Sequence, residues 1–529
     1  MPNPDRIEPA RSGDAQRPPD GPSAEMPETC TPARPPQSAR LVLTLLLAVL
    51  ALQVVAGMWG KSATYDERKY LGLGKYLLKY RRWNMDRTIY HPPLTYYLHA
   101  APFFAFGWDF KADASSRVQI RAARLCVLPL AALLALYVFR WASELYGQRA
   151  GLLAAFLCAF CPNILAHAGL ITADVAVTCF LFITVYYFRG LSAVHRHAQE
   201  SRFSENIFPI RRIQGQARHE VHEELEAHEE RRRAQGIAVP LRALRGFLRG
   251  LRVLRVGSFG CGYAALGFTV HGFRFMVYAG LAFGLALLSK YTAVFFVPIL
   301  ALLLLAGLAA RKWPSPRRVL LHTALALLLA LFILNLGYGF KGTFRAPGSG
   351  EFKSALFGEL GRSRLVRTAL VLLPEPFVRG MDFQQHESER AGETYLMGQV
   401  RPGGCWNYFL VAFLVKASVP FLILLVWAGI SLARPKAALT WNEAFLLVPP
   451  LFFFLYMSLL NDLNIGLRYV LPAFPFLFVL ASRVVHSVPS PRRTLILLVL
   501  VVWHAASSLS VHPHYLAYFN ELAGGPENG

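Results

Sequence analysis

Residues 41–70, LVLTLLLAVLALQVVAGMWGKSATYDERKY, combine a long apolar run with a charged segment. Residues 41–60 carry no charge and are long enough to cross a bilayer as one helix. Shortly after this run come two adjacent carboxylates, Asp66 and Glu67. Charged side chains so close to hydrocarbon are costly, and such residues usually have a functional reason to be there. The stretch therefore predicts a membrane protein with chemistry beside the membrane surface.

The rest of the chain repeats the apolar pattern. Of its 529 residues, 54% are hydrophobic and only 16% are charged, which is typical of a protein that crosses the membrane several times. Further runs of spanning length lie at about 118–140, 151–169, 172–190, 273–289, 291–310, 319–340, 417–433, 443–460, 467–482 and 494–510. Together they predict an all-α polytopic membrane protein, a bundle of about 11 transmembrane helices.

The net charge of +23 is compatible with nucleic-acid binding or with basic loops on one membrane face. The Lys and Arg residues decide between these, because they fall on every second connection: the N-terminal tail, GQRAG, residues 193–272, RKWPSPRR, RPK and SRVVHSVPSPRR. This alternation places the N-terminus and these loops in the cytoplasm of a multi-pass cell-membrane protein. It argues against a nucleic-acid partner, because the charge is spread along one face.

The apolar runs and the basic connections together divide the chain into segments. Residues 1–40 are predicted to be a disordered cytoplasmic tail, followed by a first transmembrane part, 41–192, a cytoplasmic insertion, 193–272, a second transmembrane part, 273–510, and an external tail, 511–529. The external segments 61–117 and 341–416 are too long for simple turns, so we expect aromatic-rich interfacial helices there.

Within the cytoplasmic insertion, the stretch LRALRGFLRGLRVLRV repeats leucine and arginine at helical spacing. The two stripes would lie side by side on a helix, one apolar and one basic. Residues 241–255 are therefore predicted to lie on the anionic lipids of the inner leaflet.

Ionisable residues also collect at the predicted outer ends of the spans: Asp66, Glu67, Arg117, Arg121, Arg124, Asp174, Lys290, Lys416 and Arg468. Snorkelling of a long side chain to the interface explains any single Lys or Arg. It does not explain the carboxylates, and it does not favour one membrane face over the other. The cluster predicts a site that faces the outer aqueous side.

Carboxylates beside several cations at a bilayer surface suit group transfer from a lipid-borne phosphate. The cations would hold the phosphate oxygens, and a carboxylate would accept the proton of an attacking hydroxyl. Such a reaction implies no cofactor and no divalent metal. The chain has no HExxH, Walker or GxSxG pattern, which argues against a protease, an ATPase and a serine hydrolase.

Several stretches resemble a known family: YDERKY, HPPLTYYLHAAPFFAFG, RAARLCVLPLAALLALYVF, NILAHAGLITADVAVTCFLF and GLALLSKYTAVFFVPIL. The family is that of the dolichyl-phosphate-mannose protein mannosyltransferases, glycosyltransferase family 39 of the GT-C superfamily. Later stretches such as NIGLRYVLPAFPFL and HPHYLAYFNELAGGPENG resemble its bacterial polyprenyl-phosphate-sugar branch more closely. The resemblance spans roughly residues 41–529 apart from the insertion, and it implies a GT-C-type bundle.

The resemblance implies an inverting transfer of a sugar from a polyprenyl phosphate to an acceptor hydroxyl. It makes Asp66, with Glu67 beside it, the catalytic base; the sequence does not decide between the two, and we favour Asp66. His91 matches a position near the donor. Arg124, helped by Arg121, matches a donor-phosphate ligand. The other predicted substrate-binding residues are Asp174, Lys290 and Arg468.

Two departures from the family and one rival interpretation stay open. The insertion at 193–272 is longer than usual, and the chain stops at GGPENG, which implies either a natural short form or a truncated gene. The rival is a transporter or flippase of a lipid-linked or anionic substrate, although polar residues of transporters are expected near the bilayer midplane. The sugar and the acceptor, whether protein, glycan or lipid, are not predicted.

Overall fold

The computed structural model describes residues 36–80, 90–108, 116–207, 270–313, 315–345, 352–433, 440–487 and 490–528; side chains are described except at 192–207 and 270–271. The described chain is mainly helical and contains one short hairpin, which confirms the predicted all-α class. Its longer helices are Gln37–Trp59, Leu128–Ala159, Asp174–Ile207, Val270–Ser289, Phe296–Ala309, Pro316–Gly337, Trp441–Leu459 and Pro491–Leu509. Shorter α-helices are Tyr65–Tyr80, Pro93–Ala105, Arg117–Leu125, Pro162–Ala168, Tyr408–Lys416, Val419–Leu432 and Phe474–Ser482.

Eight helical stretches in the described residues are long and apolar enough to cross a membrane: 37–59, 117–159, 174–191, 272–289, 291–309, 316–337, 441–459 and 491–509. A ninth candidate is the pair Tyr408–Lys416 and Val419–Leu432, whose axes differ by 111°. These spans confirm a polytopic membrane protein.

The count differs from the predicted 11 because three of the predicted runs are not separate long helices. Residues 151–169 belong partly to the 43-residue stretch 117–159, which would be about 65 Å long if it were straight. Gly147 interrupts this stretch with φ 80° and ψ 168°, a conformation that glycine adopts without a steric penalty. The run at 417–433 is half of the bent pair, and that at 467–482 falls on a shorter apolar helix, 471–486.

The connection after the first span folds into two packed helices, Tyr65–Tyr80 and Pro93–Ala105. Their backbones approach closely at Gly74, where an added Cβ would lie 2.5 Å from the carbonyl oxygen of Tyr96. Only glycine fits at this contact without a shift of the backbone. The packing fixes the helix that begins with the acidic pair.

The predicted external loop 341–416 also has structure of its own. It contains the helices Ala355–Leu360, Arg364–Leu370 and Glu375–Glu389 and a hairpin of strands Glu393–Leu396 and Gln399–Pro402. The strands are antiparallel, and Glu393 pairs with Pro402. Asp382 ties the segment together, since it accepts hydrogen bonds from the backbone of Lys353 and Ser354 at 2.8 and 2.9 Å.

Aromatic side chains fill the centre of the bundle. The fully buried Trp141 lies 4.9 Å from the ring of Phe182 and 5.8 Å from that of Phe476, centroid to centroid. These contacts join three helices that are far apart in sequence. The core therefore supplies a rigid base for the loops at the ends of the spans.

The C-terminal segment packs onto the bent pair of helices. The Asn520 side chain donates to the carbonyl oxygens of Leu414 and Ala417 at 2.6 and 2.7 Å. A break in a spanning helix leaves carbonyl groups without helical partners, and Asn520 satisfies two of them. The predicted leaflet-binding residues 241–255 and most of the N-terminal tail lie outside the described residues.

Candidate active site

The acidic pair lies in the first turn of the helix Tyr65–Tyr80. Negative side chains are stabilised there because the N-terminus of a helix carries partial positive charge. Neighbouring residues on a helix point about 100° apart, so Asp66 and Glu67 meet different surroundings. The Glu67 side chain is completely buried, whereas 42% of the Asp66 side chain is exposed.

Glu67 forms a two-pronged ion pair with Arg124. Its Oε1 accepts from Nε of Arg124, and its Oε2 accepts from Nη2, both at 2.7 Å. The backbone N–H groups of Thr64 and Ile171 donate to the same carboxylate at 2.8 and 3.0 Å. Burial alone would raise the pKa of Glu67, but these hydrogen bonds and the guanidinium charge lower it below its usual value.

Arg124 is fully buried and uses all its N–H groups within the protein. Two bind Glu67, and the remaining three donate to the carbonyl oxygens of Met58, Lys61 and Ser62 at 2.8–3.2 Å. We call Glu67, Arg124 and these carbonyls the closed network. The prediction that Arg124 binds a donor phosphate stays a prediction, but here no N–H of Arg124 is left for a phosphate oxygen.

Asp66 contacts a different cation. Its Oδ2 accepts a hydrogen bond from Nη1 of Arg468 at 2.9 Å, and 29% of the Arg468 side chain is exposed. Arg468 lies in the short 3₁₀ turn Leu467–Tyr469, which follows Gly466 with φ 90°. The N–H of Gly466 donates to the hydroxyl of Tyr408 at 2.9 Å and holds this turn against the bent helix pair.

A second acid–base pair lies next to the first. Nζ of Lys290 donates to Oδ1 of Asp174 at 2.7 Å, and Nδ1 of His167 lies 3.4 Å from Oδ2. Asp174 is 3% exposed and Lys290 is 8% exposed. Lys290 has an extended backbone between the helix Val270–Ser289 and the 3₁₀ turn that follows.

The ring of Tyr469 joins the two pairs. Nζ of Lys290 lies 4.6 Å from the ring centroid, and the guanidinium carbon of Arg468 lies 5.8 Å from it. Cations within about 6 Å of an aromatic ring are attracted to its face. We call Asp66, Arg468, Tyr469, Lys290 and Asp174 the open network, because its Asp66 and Arg468 reach solvent.

His91 lies against the open network. Its ring stacks on that of Tyr70 with centroids 4.7 Å apart and planes 19° apart. Burial, and then the charge of Lys290, lower the pKa of His91 to about 3, so the imidazole is neutral near pH 7. A neutral imidazole can donate one hydrogen bond and accept another, but it adds no positive charge to the site.

The structure thus brings together Asp66, His91, Asp174, Lys290 and Arg468, and it places Glu67 and Arg124 in the adjacent closed network. Arg121 is directed elsewhere, since it donates to the carbonyl oxygen of Trp59 and its guanidinium lies 4.3 Å from the Trp59 ring centroid. Within the described ranges, no three His, Cys, Asp or Glu side chains converge as a metal site.

Sequence reasoning missed three members of the site. Tyr70 and Tyr469 lie in the motifs YDERKY and NIGLRYV. Their position close to charged residues was the one feature of the sequence that could have indicated their place in the site. His167 lies seven residues before Asp174. Its contact depends on the short helix Pro162–Ala168, which an apolar run does not predict.

The fold defines a class of protein: a polytopic membrane protein with a GT-C-type bundle of helices. Residues 90–199 match the family model of the dolichyl-phosphate-mannose-protein mannosyltransferases. The match includes His91, Arg121, Arg124 and Asp174. The resemblance to the GT-C polyprenyl-phosphate-sugar glycosyltransferases is therefore confirmed.

Three solved structures have the same fold. ArnT from Cupriavidus metallidurans, bound to undecaprenyl phosphate, is 16% identical with a TM-score of 0.52, over 90% of this chain and 65% of ArnT. The Pmt1–Pmt2 complex of S. cerevisiae, bound to the sugar donor, is 12% identical with a TM-score of 0.54, over 90% of each chain. Archaeoglobus fulgidus AglB, in complex with an inhibitory peptide and a dolichol-phosphate, is 12% identical with a TM-score of 0.52, over 89% of this chain and 56% of AglB.

These three comparisons show a similar fold and no more, because all three sequence identities are low. This chain spans about two thirds of the length of ArnT. Among curated proteins, no sequence significantly matches the chain.

Proposed function

We propose that this protein is an inverting glycosyltransferase that moves a sugar from a polyprenyl phosphate to an acceptor hydroxyl at the outer face of the membrane. The acceptor hydroxyl would belong to a protein, a glycan or a lipid. With a protein acceptor, the reaction would be a protein O-glycosylation. The fold supports this proposal, and ArnT, AglB and the Pmt1–Pmt2 complex were each solved with a lipid phosphate or a sugar donor.

The observation that carries the proposal is the arrangement of Lys290 and Arg468 around Tyr469. Each cation binds a carboxylate, so the open network alternates negative and positive groups. Two cations suit a phosphate group, whose charge grows when it leaves the sugar. A half-exposed carboxylate suits a base, because an acceptor from the aqueous side can reach it.

The reaction can be written with these residues. Asp66 accepts the proton of the acceptor hydroxyl, and the oxygen attacks the anomeric carbon of the sugar. The bond between that carbon and the phosphate oxygen breaks, and its electron pair leaves with the lipid phosphate. Lys290 and Arg468 stabilise the added charge. The configuration at the anomeric carbon inverts, because the attack comes from the side opposite the phosphate.

The full-length protein in nanodiscs, incubated with a panel of polyprenyl-phosphate sugars and acceptors, tests the activity. We expect release of the lipid phosphate with one donor class. Asp66→Asn should abolish most of this release. Asp462→Asn, at an exposed aspartate outside the open network, is the matched control. No release with any donor would contradict the proposal and favour the transporter alternative.

The outer-face placement rests on the distribution of basic loops and needs its own test. Tyr65 is 85% exposed beside the acidic pair, so Tyr65→Cys should react with a membrane-impermeant maleimide in intact cells. A cysteine at Arg311, in a predicted cytoplasmic loop, should react only after the cells are opened. The wild-type protein, which has seven cysteines, gives the background. The reverse labelling pattern would place the site on the inner face.

A further inference from the structure

We propose that Asp174 competes with phosphate for Lys290 and so weakens the binding of the product lipid phosphate more than that of the sugar donor. This inference rests on the proposed function and concerns the same site. Asp174 is a positioning residue in this account, because it acts on the phosphate through Lys290.

The geometry places Asp174 directly beside the proposed phosphate ligand. Oδ1 of Asp174 accepts a hydrogen bond from Nζ of Lys290 at 2.7 Å, so a phosphate oxygen that binds another N–H of this ammonium lies close to the carboxylate. The carboxylate is only 3% exposed, with His167 at 3.4 Å from its other oxygen. A side chain that is enclosed by packed neighbours in this way cannot reach water without displacing them. Asp174 therefore remains close to any phosphate bound at Lys290.

Asp66 differs in this respect. With 42% of its side chain exposed, it can leave Arg468 and become solvated when a phosphate binds there. Its repulsion of a bound phosphate is therefore weaker than that of Asp174. The two carboxylates have the same charge, but only the buried one repels the ligand throughout the reaction.

The donor and the product differ in charge at the group that Lys290 would bind. The donor is a phosphodiester with one negative charge. Cleavage of the bond to the sugar leaves a phosphomonoester, whose second pKa is about 6 and whose charge near pH 7 approaches −2. The cations therefore bind the product more tightly than the donor and would slow its release.

Repulsion scales with the charge of the ligand, so Asp174 opposes this trend. At a given distance its interaction energy with a dianion is about twice that with a monoanion. If removal of the Asp174 charge strengthens diester binding about threefold, it should strengthen monoester binding about tenfold, because a doubled energy squares the ratio.

Two synthetic lipids isolate this effect: undecaprenyl phosphate and its methyl ester, which has the same chain but a single charge. Both are titrated at pH 7.5 into the full-length protein in nanodiscs, as wild type, Asp174→Asn and the control Asp462→Asn. We expect Asp174→Asn to bind the monoester about tenfold more tightly and the methyl ester about threefold more tightly. Asp462→Asn should match the wild type.

Kinetics give a second measure. With donor and acceptor, Asp174→Asn should slow the later turnovers more than the first, because the product leaves slowly. Asp174→Ser also removes the charge and serves if the asparagine variant does not fold. Equal changes for both lipids, or weaker binding of both, would overturn the inference in favour of a purely structural role. Failure of the wild type to bind either lipid would contradict the proposed function itself.

Discussion

The closed and open networks lie next to each other and begin at adjacent residues, yet they are built differently. In the closed network, Glu67 and Arg124 are both buried, and every N–H of Arg124 has a protein acceptor. In the open network, Asp66 and Arg468 share one hydrogen bond and are partly exposed. The closed pair joins chain segments and has no free hydrogen-bonding group, whereas the open pair is accessible to solvent.

This difference shows that the type and position of a residue do not by themselves identify a catalytic group. Glu67 has a carboxylate at the same helix end as Asp66, but its oxygens are already occupied by Arg124 and two backbone N–H groups. A catalytic base needs an accessible lone pair, whereas a buried carboxylate with a structural role needs a hydrogen-bond donor for each of its oxygens. This contrast favours Asp66 as the base and gives Glu67 the role of holding the first loop against Ile171.

The largest expected effect comes from removal of the proposed base. Asp66→Asn keeps the size of the side chain but cannot accept the proton, so transfer should fall by roughly 10²–10⁴-fold. Donor affinity should hold or rise, because a negative charge near the phosphate is lost. Transfer rate and donor affinity are measured on the same preparation. Near-normal transfer would remove Asp66 from the mechanism and reopen the choice between the two acids.

The next effect concerns the closed network and should appear in stability. Glu67→Gln and Arg124→Ala each leave the partner charge buried without compensation, which typically costs about 3–5 kcal/mol. Both variants should express poorly and unfold at lower temperature in detergent. Asp66→Asn, which changes a partly exposed carboxylate, is the matched control and should keep the wild-type unfolding temperature.

The opposite result would be equally informative. If Arg124→Ala keeps its unfolding temperature but loses donor affinity, Arg124 binds the phosphate directly, as the family resemblance implies. The closed network would then have to open during the reaction.

A smaller effect is expected for Arg468. Arg468→Gln removes one charge-assisted contact to the donor phosphate, worth about 1.5–3 kcal/mol or roughly 10- to 100-fold in affinity. Stability should change little, because the side chain is partly exposed. Arg117→Gln, at an exposed arginine at the start of its helix, is the control. Unchanged donor affinity in Arg468→Gln would show that Arg468 does not bind the donor phosphate together with Lys290.

The sequence predicted much of the fold because membrane spans have a strong local signal. Apolar length located the long helices, and the clustering of charges at span ends pointed to Asp66, Asp174, Lys290 and Arg468. It did not predict the 111° bend between Lys416 and Val419, where Asn520, about a hundred residues later, satisfies the freed carbonyl groups. Nor did it predict the hairpin, whose turn uses Met397 and Gly398, both with positive φ.

The division of labour between Asp66 and Glu67 was also beyond the sequence. It depends on which lone pairs are occupied, and one of the donors to Glu67 is the N–H of Ile171, 104 residues away. Likewise, the distinction between Arg124 and Arg468 depends on carbonyl groups that any residue could supply. Charge patterns identify the participants, but tertiary hydrogen bonds decide which of them stay accessible.

The smallest expected effect tests a neutral neighbour of the open network. His91 stacks on Tyr70, and such a contact contributes about 0.5–1.5 kcal/mol to packing. If all of this energy holds the site in its reactive geometry, His91→Gln should slow transfer by up to roughly 10-fold. Because its pKa is lowered to about 3, mainly by burial, the wild-type rate should show no inflection from His91 between pH 5.5 and 8.5. The variant should therefore have the same pH profile as the wild type at a lower level.

The lowered pKa of His91 also links the stability of the protein to pH. The pKa of His91 is lower in the folded protein than its usual value of 6.5, so the unfolded chain binds a proton that the folded one does not. The wild type should therefore lose stability as the pH falls below 6.5, and His91→Gln should lose less of it over that range. If instead the variant removes an inflection near pH 6.5 from the rate profile, His91 titrates during catalysis. It would then act as a charged member of the open network and not as an uncharged side chain that packs beside it.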